Sequence, residues 1–151
     1  MIDDLNALED WAGGLLNKLQ PAERRHITRA VAIDLRRSNQ QRIASQRNPN
    51  GSPFEPRKPQ KNLRGKAGRI RRKMFTKLRT ARHLKTQANA NSAGIAFVGR
   101  VNRIARVHHW GLRDQVNDNG LTVQYPERRL LGFSEDDREH IRDLLIQHLT
   151  S

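Results

Sequence analysis

Lysine and arginine are the side chains with the clearest chemical potential in this sequence of 151 residues. The segment from Pro56 to Arg113 contains 17 of them and no aspartate or glutamate, in a chain whose formal net charge is +14. These cations bind phosphates and carboxylates, so the segment predicts an anionic partner: nucleic acid, a membrane surface or an acidic protein. Both ends of the chain are acidic, which adds pairing between the end of one copy and the middle of the next.

Basic residues that share a helix face are the strongest candidates within this segment. We predict a helix over residues 69–84 and a short helix over residues 101–109, beside which three arginines are spaced by three. The candidate contact residues are Arg71, Arg72, Lys73, Lys77, Arg79, Arg100, Arg103 and Arg106. No helix-turn-helix spacing, zinc-ligand set or stacking aromatic platform accompanies them, so nucleic-acid contact is expected to be independent of base sequence. A solvated or intersubunit ion-pairing role is the alternative for each arginine.

Sequence patterns of catalysis and metal binding are scarce. There is no cysteine, and the phosphate-loop look-alike at residues 64–69 lacks a Ser or Thr after its lysine. His108 and His109 are adjacent, so on a helix they diverge by about 100° and do not easily share a metal. The acidic run at residues 135–137 suits the start of a helix better than an acid–base pair. We therefore expect no enzymatic activity, no metal site and no cofactor.

Length and composition favour a single domain with a modest core. Hydrophobic residues make up 35% of the chain and aromatic residues 5%, which is a low share for a globular protein. No apolar run approaches the roughly 20 residues that span a bilayer, and the acidic start does not resemble a signal peptide. A chain without cysteine needs no oxidative folding. These features predict a product of the cytoplasm that does not cross a membrane.

Two helices are predicted at the N-terminus. The first covers residues 3–19, with leucines on one face and a pair of glycines that predicts a kink or break. The second starts at Pro21, which suits the first turn of a helix, and runs to about Gln46. Its apolar stripe thins after Arg36, so we expect its second half to project from the body or to pack on another subunit.

An irregular basic arm is predicted after these helices, over residues 48–68. Prolines and glycines punctuate it, and the residue before each proline is pushed towards an extended conformation. Phe54 is the one large apolar side chain among residues 48–56, so we expect it to anchor an otherwise extended segment. Irregular segments of this length are uncommon in compact domains unless they have a function.

A small sheet and a short helix are predicted in the second half of the chain. Residues 84–88 and 94–99 have the pattern of a strand pair. The helix over residues 101–109 ends at Gly111. Its inward-facing residues are expected to be Val101, Ile104, Ala105 and His108.

Further strands and a helix complete the predicted elements. Residues 121–125 and 129–133 are strand candidates. Ser134 caps a C-terminal helix and forms a variant of the capping box with Asp137. The helix is expected to bury Ile141, Leu144 and Leu145.

These elements define the predicted fold class, which is α+β. N-terminal and C-terminal helices surround a small antiparallel sheet, and an extended basic arm leaves it. We divide the chain into an N-terminal helical region over residues 1–47, the arm over residues 48–68, and an α+β core over residues 69–151. All three are expected to belong to one domain.

Three stretches of the sequence together form a recognisable pattern, at residues 46–57, 94–114 and 125–137. The middle stretch is the most specific, because a predicted strand leads into R-x-x-x-I-A-x-x-H-x-x-G-L-R, which begins at Arg100. Together they resemble the phage virion morphogenesis family, the tail completion proteins of contractile-tailed temperate phages. The acidic, leucine-rich start and the terminal helix also fit, so the resemblance covers nearly the whole chain.

This resemblance implies a structural role in the virion. Such proteins finish the tail at its head-proximal end and make it competent to join the filled capsid. Related neck and tail-end proteins form rings around the DNA path, most often sixfold. The implied partners are further copies of the chain, tail tube and sheath proteins, neck or head-completion proteins, and transiently the phage DNA in the lumen. The protein is expected to be made in the host cytoplasm.

The resemblance also implies roles for particular positions. The expected intersubunit arm consists of Arg47, Asn48, Pro49, Gly51, Phe54, Pro56 and Arg57. The basic residues named above are expected to face the lumen or a neighbouring subunit. Structural roles are expected for His108, Gly111, Tyr125 and Pro126. The alternative interpretation is a basic nucleic-acid-binding protein without sequence specificity.

Overall fold

The computed structural model describes residues 2–57, 73–115 and 119–150. Helix α1 spans Ile2–Leu16 and helix α2 spans Pro21–Ala44, close to the predicted bounds. Pro21 occupies the first turn of α2, where a missing N–H costs no hydrogen bond. The paired glycines predicted to kink the first helix lie inside α1, and the helix ends two residues after them.

One face of the second half of α2 is buried within the chain, so the expectation that it projects from the body is wrong. Asn39 and Ile43 are fully buried in this half. Asn39 donates from its amide to the carbonyl of Leu35 at 2.8 Å. Ser38 is hydrogen bonded to Asp137 near the C-terminal end of the chain. Polar side chains can line a buried helix face when each finds a partner, which the apolar stripe alone does not indicate.

The predicted hairpin is confirmed. Strand β1 spans Leu84–Ala88 and pairs antiparallel with strand β2, which spans Ala93–Phe97. Leu84 lies opposite Phe97, and both side chains are buried in the main core. This core also contains Ile43, Phe54, Met74, Leu78, Ala105 and Leu130. It therefore joins α2, the segment after α2 and the hairpin in one apolar cluster.

The helix predicted over residues 69–84 is wrong where it can be compared, because residues 73–83 form a series of turns. Phe75 has a φ of 66°, which a right-handed helix does not accommodate. The side-chain amide of Gln46 donates to the carbonyl of Met74 at 2.9 Å and accepts from the N–H of Met74 at 2.8 Å. Met74 and Leu78 are nevertheless buried, so the apolar spacing was informative although the element was not.

Helix α3 spans Val101–Trp110 and carries the most specific part of the sequence pattern. Its predicted end is confirmed, since Gly111 adopts the left-handed conformation with a φ of 65°. Ala105 is buried as expected, but Ile104 is half exposed and Val107 is buried in its place. Buried side chains on two sides of α3 show that the helix is enclosed from more than one direction.

A second antiparallel pair follows α3. Strand β3 spans Arg113–Gln115 and pairs with strand β4, which spans Thr122–Gln124. The sequence indicated β4, whereas β3 lies in a stretch whose polar composition favours a loop. The strand predicted over residues 129–133 is wrong, because this segment joins no sheet.

Three N–H groups of the 129–133 segment are instead bound by side chains. The amide oxygen of Asn48 accepts from the N–H of Arg129 at 2.8 Å. That of Asn39 accepts from the N–H of Gly132 at 3.0 Å. An extended backbone can thus be satisfied without a strand neighbour.

Helix α4 spans Glu135–Thr150 and closes the fold. The predicted capping box is confirmed in both directions: Asp137 accepts from the N–H of Ser134 at 2.9 Å, and Ser134 accepts from the N–H of Asp137 at 3.1 Å. Ile141 and Leu145 pack with Leu8 and Ile27 in a second core cluster. The termini of the chain are therefore held together by apolar contact, and the α+β class is confirmed.

None of the helices in the described residues combines the length and the apolar character that crossing a membrane requires.

Replacing Gly111 with alanine is expected to destabilise the fold by about 1–3 kcal/mol. A Cβ at this position lies 2.8 Å from the backbone nitrogen of Glu127, and the positive φ adds strain. The matched control is Gly14→Ala in α1, where a Cβ meets no atom within 4 Å. There alanine is expected to stabilise by about 1 kcal/mol. Urea unfolding of both variants measures the difference, and equal effects contradict this account of Gly111.

Candidate assembly surface

The predicted arm begins as a compact loop on the protein's own body. Its base is a bridge between Arg47 and Pro53, and the N–H of Asn48 donates to the carbonyl of Ser52 at 2.8 Å. Gly51 turns the chain with a φ of 90°. Phe54 is buried in the main core. An extended basic arm is therefore not confirmed: residues 48–57 fold back, and residues 58–68 lie outside the described parts of the chain.

Pro49 packs the loop against Gly132, in the segment that precedes α4. A Cβ added to Gly132 lies 2.6 Å from the Cγ of Pro49, so the proline ring rests almost on the glycine backbone. Only glycine allows this approach. The loop from Arg47 to Arg57 is thus fixed at its tip as well as at Phe54. No partner chain tests its predicted intersubunit role, which stays a prediction.

Arg42 holds this loop and the segment before α4 together. Its guanidinium donates to the carbonyls of Arg47 at 2.8 Å, Arg129 at 2.9 Å and Leu130 at 2.6 Å. A further bond reaches the side-chain oxygen of Asn39 at 2.6 Å. Burial lowers the pKa of Arg42 to about 10 despite the attraction of Asp137, so the side chain remains a cation at neutral pH.

Arg128 makes a second clamp on the same loop. Its Nε donates to the carbonyl of Glu55 at 2.8 Å, and a terminal nitrogen donates to the carbonyl of Pro56 at 3.3 Å. The side chain is buried, and burial is the main cause that lowers its pKa. Sequence reasoning missed Arg42 and Arg128, because an arginine that binds backbone carbonyls from several segments leaves no local pattern.

The motif residues His108 and Tyr125 belong to a chain of stacked rings. Phe54 contacts Phe75 edge to face, Phe75 contacts His108, and His108 contacts Tyr125 at 4.6 Å between centroids. Pro126 follows Tyr125 and is half-buried. Burial, followed by the charges of Arg128 and Arg57, lowers the pKa of His108, while Asp114 opposes the shift. His108 is therefore neutral at pH 7 and acts as an aromatic core residue.

The predicted basic residues do not form one face. Arg100 and Arg106 are exposed, and neither makes an ion pair within the described residues. Arg103 pairs instead with Asp114 of β3. Lys73 and Lys77 are exposed on the turns before β1, whereas Arg79 is half-buried there. Arg71 and Arg72 lie outside the described residues.

An open apolar groove of about 620 Å³ runs between strand β2, helix α3 and the 131–133 segment. Every residue of β2 lines it, as do Trp110 and Phe133, whose side chains are 53% and 38% exposed. The guanidinium of Arg129 lies 4.5 Å from the ring centroid of Trp110, a cation–π contact that holds the indole in place. Arg106 also lines the groove. The shape and apolar lining of this recess suit a protein contact.

The groove escaped sequence reasoning because its walls come from separate segments: Leu35 of α2 lines it together with β2, α3 and residues 131–133. Trp110 comes after the residues of α3 that are predicted to face inward, and nothing in the sequence indicated that its side chain would be exposed. Within the part of the chain that the structure describes, no group of three or more histidine, aspartate and glutamate side chains could hold a metal ion. The groove and its surroundings offer apolar contact and positive charge.

Comparison with known proteins identifies relatives along the whole chain. Residues 3–150 match the phage virion morphogenesis family. The chain is 38% identical over 149 residues to tail completion protein S of Escherichia phage P2, covering 98% of this chain and 99% of that protein. No solved structure matches the chain.

Substituting Arg42 with alanine is expected to lower the free energy of unfolding by about 2–4 kcal/mol, because three carbonyls and Asn39 lose a charged donor. The control is Arg37→Ala in the same helix, where an exposed pair with Asp34 at 3.6 Å contributes at most about 1 kcal/mol. Chemical denaturation of both variants checks this. A loss at Arg42 no larger than that at Arg37 contradicts its role as a clamp.

Stability is expected to fall as the pH drops from 7.5 to 5.5. The pKa values of His108 and His109 are lowered in the folded chain, so the unfolded chain takes up protons first. The loss begins near the ordinary histidine pKa of about 6.5 and ends below the lowered values. Urea unfolding at both pH values should show a smaller loss for His108→Phe than for the wild type. An undiminished loss in His108→Phe contradicts the assignment.

Proposed function

The chain belongs to the phage virion morphogenesis family, and on that premise we propose that it is a tail completion protein of a phage virion. The observation that carries this proposal is the identity of 38% with a tail completion protein over nearly the full length of both chains. A similarity that omits no region supports a shared role for the whole molecule rather than for one shared segment.

The protein forms a ring at the head-proximal end of the tail, with six copies as the expected number. Its charge is segregated: the segment from Pro56 to Arg113 has no carboxylate, while exposed carboxylates lie on α4. Two unlike surfaces on one chain favour head-to-tail contacts, and such contacts close into a ring when the rotation between copies permits. The segregation therefore supports a closed ring over a two-fold dimer.

In this position the protein meets tail tube and sheath proteins on one side and neck or head-completion proteins on the other. Its role is to make the tail competent to join a filled head. Support comes from the relative's name and from the described surfaces, which offer apolar and charged contacts. A structural role, rather than catalysis, fits these surfaces best.

Contact with DNA is the second candidate function. Exposed Arg100 and Arg106 lack an ion pair in the described residues, so both are available to neutralise phosphates. The cationic patch consists of these two arginines, and Trp110, the exposed aromatic residue that lines the groove with Arg106, is already in contact with Arg129. Transient contact with DNA passing through a ring fits this patch better than tight binding.

Phage particles lacking this chain are expected to separate into filled heads and unjoined tails, and supplying the chain should restore joining. Electron microscopy of the particles measures this, and native mass spectrometry of the purified chain measures its copy number. Normal joining without the chain overturns the tail completion role, and a chain that stays monomeric in solution and on tails overturns the ring.

The DNA function has its own test. Duplex binding should weaken steeply as salt rises, and Arg100→Glu with Arg106→Glu should weaken it further, because fewer phosphates are neutralised. The control is Arg29→Glu with Lys18→Glu, which changes the charge equally at exposed positions on the N-terminal helical region. Equal loss in both double variants assigns binding to net charge, and no binding at low salt eliminates this function.

A further inference from the structure

The outward face of helix α4 carries an acidic stripe. Asp136, Glu139 and Asp143 are exposed and spaced by three and four, so they share one side of the helix. None of the three makes an ion pair within the described residues. Ile146 continues the same side and is 44% exposed. The stripe thus combines carboxylates with an apolar end.

The groove beside α3 has the opposite character. None of its described lining residues is an aspartate or a glutamate, its floor is apolar, and Arg106 stands at its edge. Trp110 and Phe133 expose enough ring surface to cover an aliphatic side chain. Such a groove suits an amphipathic helix that offers apolar contacts together with carboxylates.

We propose that the groove between β2, α3 and the 131–133 segment binds the acidic stripe of α4 from a second copy of this chain. The inference rests on the proposed ring and names the contact that builds it. Arg106 of one copy pairs with Glu139 or Asp143 of the next, and the apolar end of the stripe covers Trp110 or Phe133. The groove and the stripe lie on different elements of the chain. After two copies have made one contact, one copy therefore keeps an unoccupied groove and the other an unoccupied stripe.

Charge makes a second copy a better occupant than an unrelated apolar partner. Copies with a net charge of +14 repel one another on average, so association needs a contact where unlike charges meet. The acidic stripe is a negative surface on a molecule whose net charge is positive. Placing it beside Arg106 converts part of this repulsion into attraction.

Charge reversal tests the contact directly. Arg106→Glu alone should set like charges against the stripe, and Glu139→Arg with Asp143→Arg should set like charges against the groove. Each variant is expected to need at least about tenfold more protein for ring assembly. Native mass spectrometry across a concentration series measures this. Arg29→Glu is the matched control for charge and should assemble as the wild type does.

Mixing the two reversed variants gives the decisive result. In an alternating ring the reversed groove of one variant meets the reversed stripe of the other, and the unchanged groove meets the unchanged stripe, so all contacts become attractive. The mixture should therefore assemble at a protein concentration at which neither component alone does. Combining both changes in one chain should also restore assembly, which shows that the single variants remain folded. Absence of rescue in both arrangements overturns the pairing.

Thiol cross-linking gives a second measurement that works on assembled tails. The chain has no cysteine, so Asn102→Cys in the groove and Glu139→Cys on the stripe introduce the only thiols. A short bismaleimide should then produce a ladder of linked copies on a denaturing gel. Glu9→Cys with Asn102→Cys is the control pair and should give none.

The outcomes separate this contact from the proposed function. If wild-type rings form but charge reversal and cross-linking have no effect, the contact is wrong and the ring stands. If Arg106→Glu leaves rings intact but blocks their attachment to tails, the groove binds another virion protein and the contact is again wrong. If the wild type forms no ring in solution or on tails, the proposed ring fails first.

Discussion

One half-buried guanidinium links two segments of this chain that have no regular secondary structure. Arg42 donates to three backbone carbonyls from two segments that are far apart in sequence, and to the side chain of Asn39. Carbonyl groups that belong to no helix or sheet need donors when they leave water. The cation supplies several at once because its donors fan out in a plane. The loop from Arg47 to Arg57 and the extended segment over residues 129–133 therefore keep a fixed geometry, although no regular secondary structure joins them.

Polar side chains bind backbone groups at other places in the structure as well. Arg128 binds two carbonyls of the loop, Gln46 binds both backbone groups of Met74, and Asn48 binds the N–H of Arg129. A chain with few large apolar residues gains order from polar side chains that bind backbone. Its basic composition thus has two uses: some arginines stabilise the fold from within, and others remain on the surface for partners.

Local signals in the sequence predicted the elements they control. The start of α2 at Pro21, the left-handed end of α3 at Gly111 and the capping box of α4 follow from steric and hydrogen-bonding rules that act within one turn. The hairpin followed from residue types and turn signals. The predictions that were wrong depend on contacts between residues that are far apart in the sequence. Nothing near Phe75 announces its positive φ, which accompanies recognition of Met74 by Gln46 from 28 positions earlier.

The candidate assembly surface could likewise be predicted from the sequence only in part. Exposure of Arg100 and Arg106 could be predicted, because charged residues on a short helix rarely become buried. The groove could not, since it appears only when β2, α3 and residues 131–133 meet. Arg42 was also beyond reach, because a polar stretch of helix suggests exposure, whereas here it reflects side-chain pairing to distant backbone.

The contact of Pro49 with Gly132 has a mechanical consequence. Gly132 lines the groove on one side and bears the proline ring on the other, so a single peptide backbone forms a wall shared by the groove and the loop. We therefore expect an occupant that displaces this backbone to displace the loop as well, because closely packed groups transmit strain. Binding in the groove and the position of the loop are then mechanically linked.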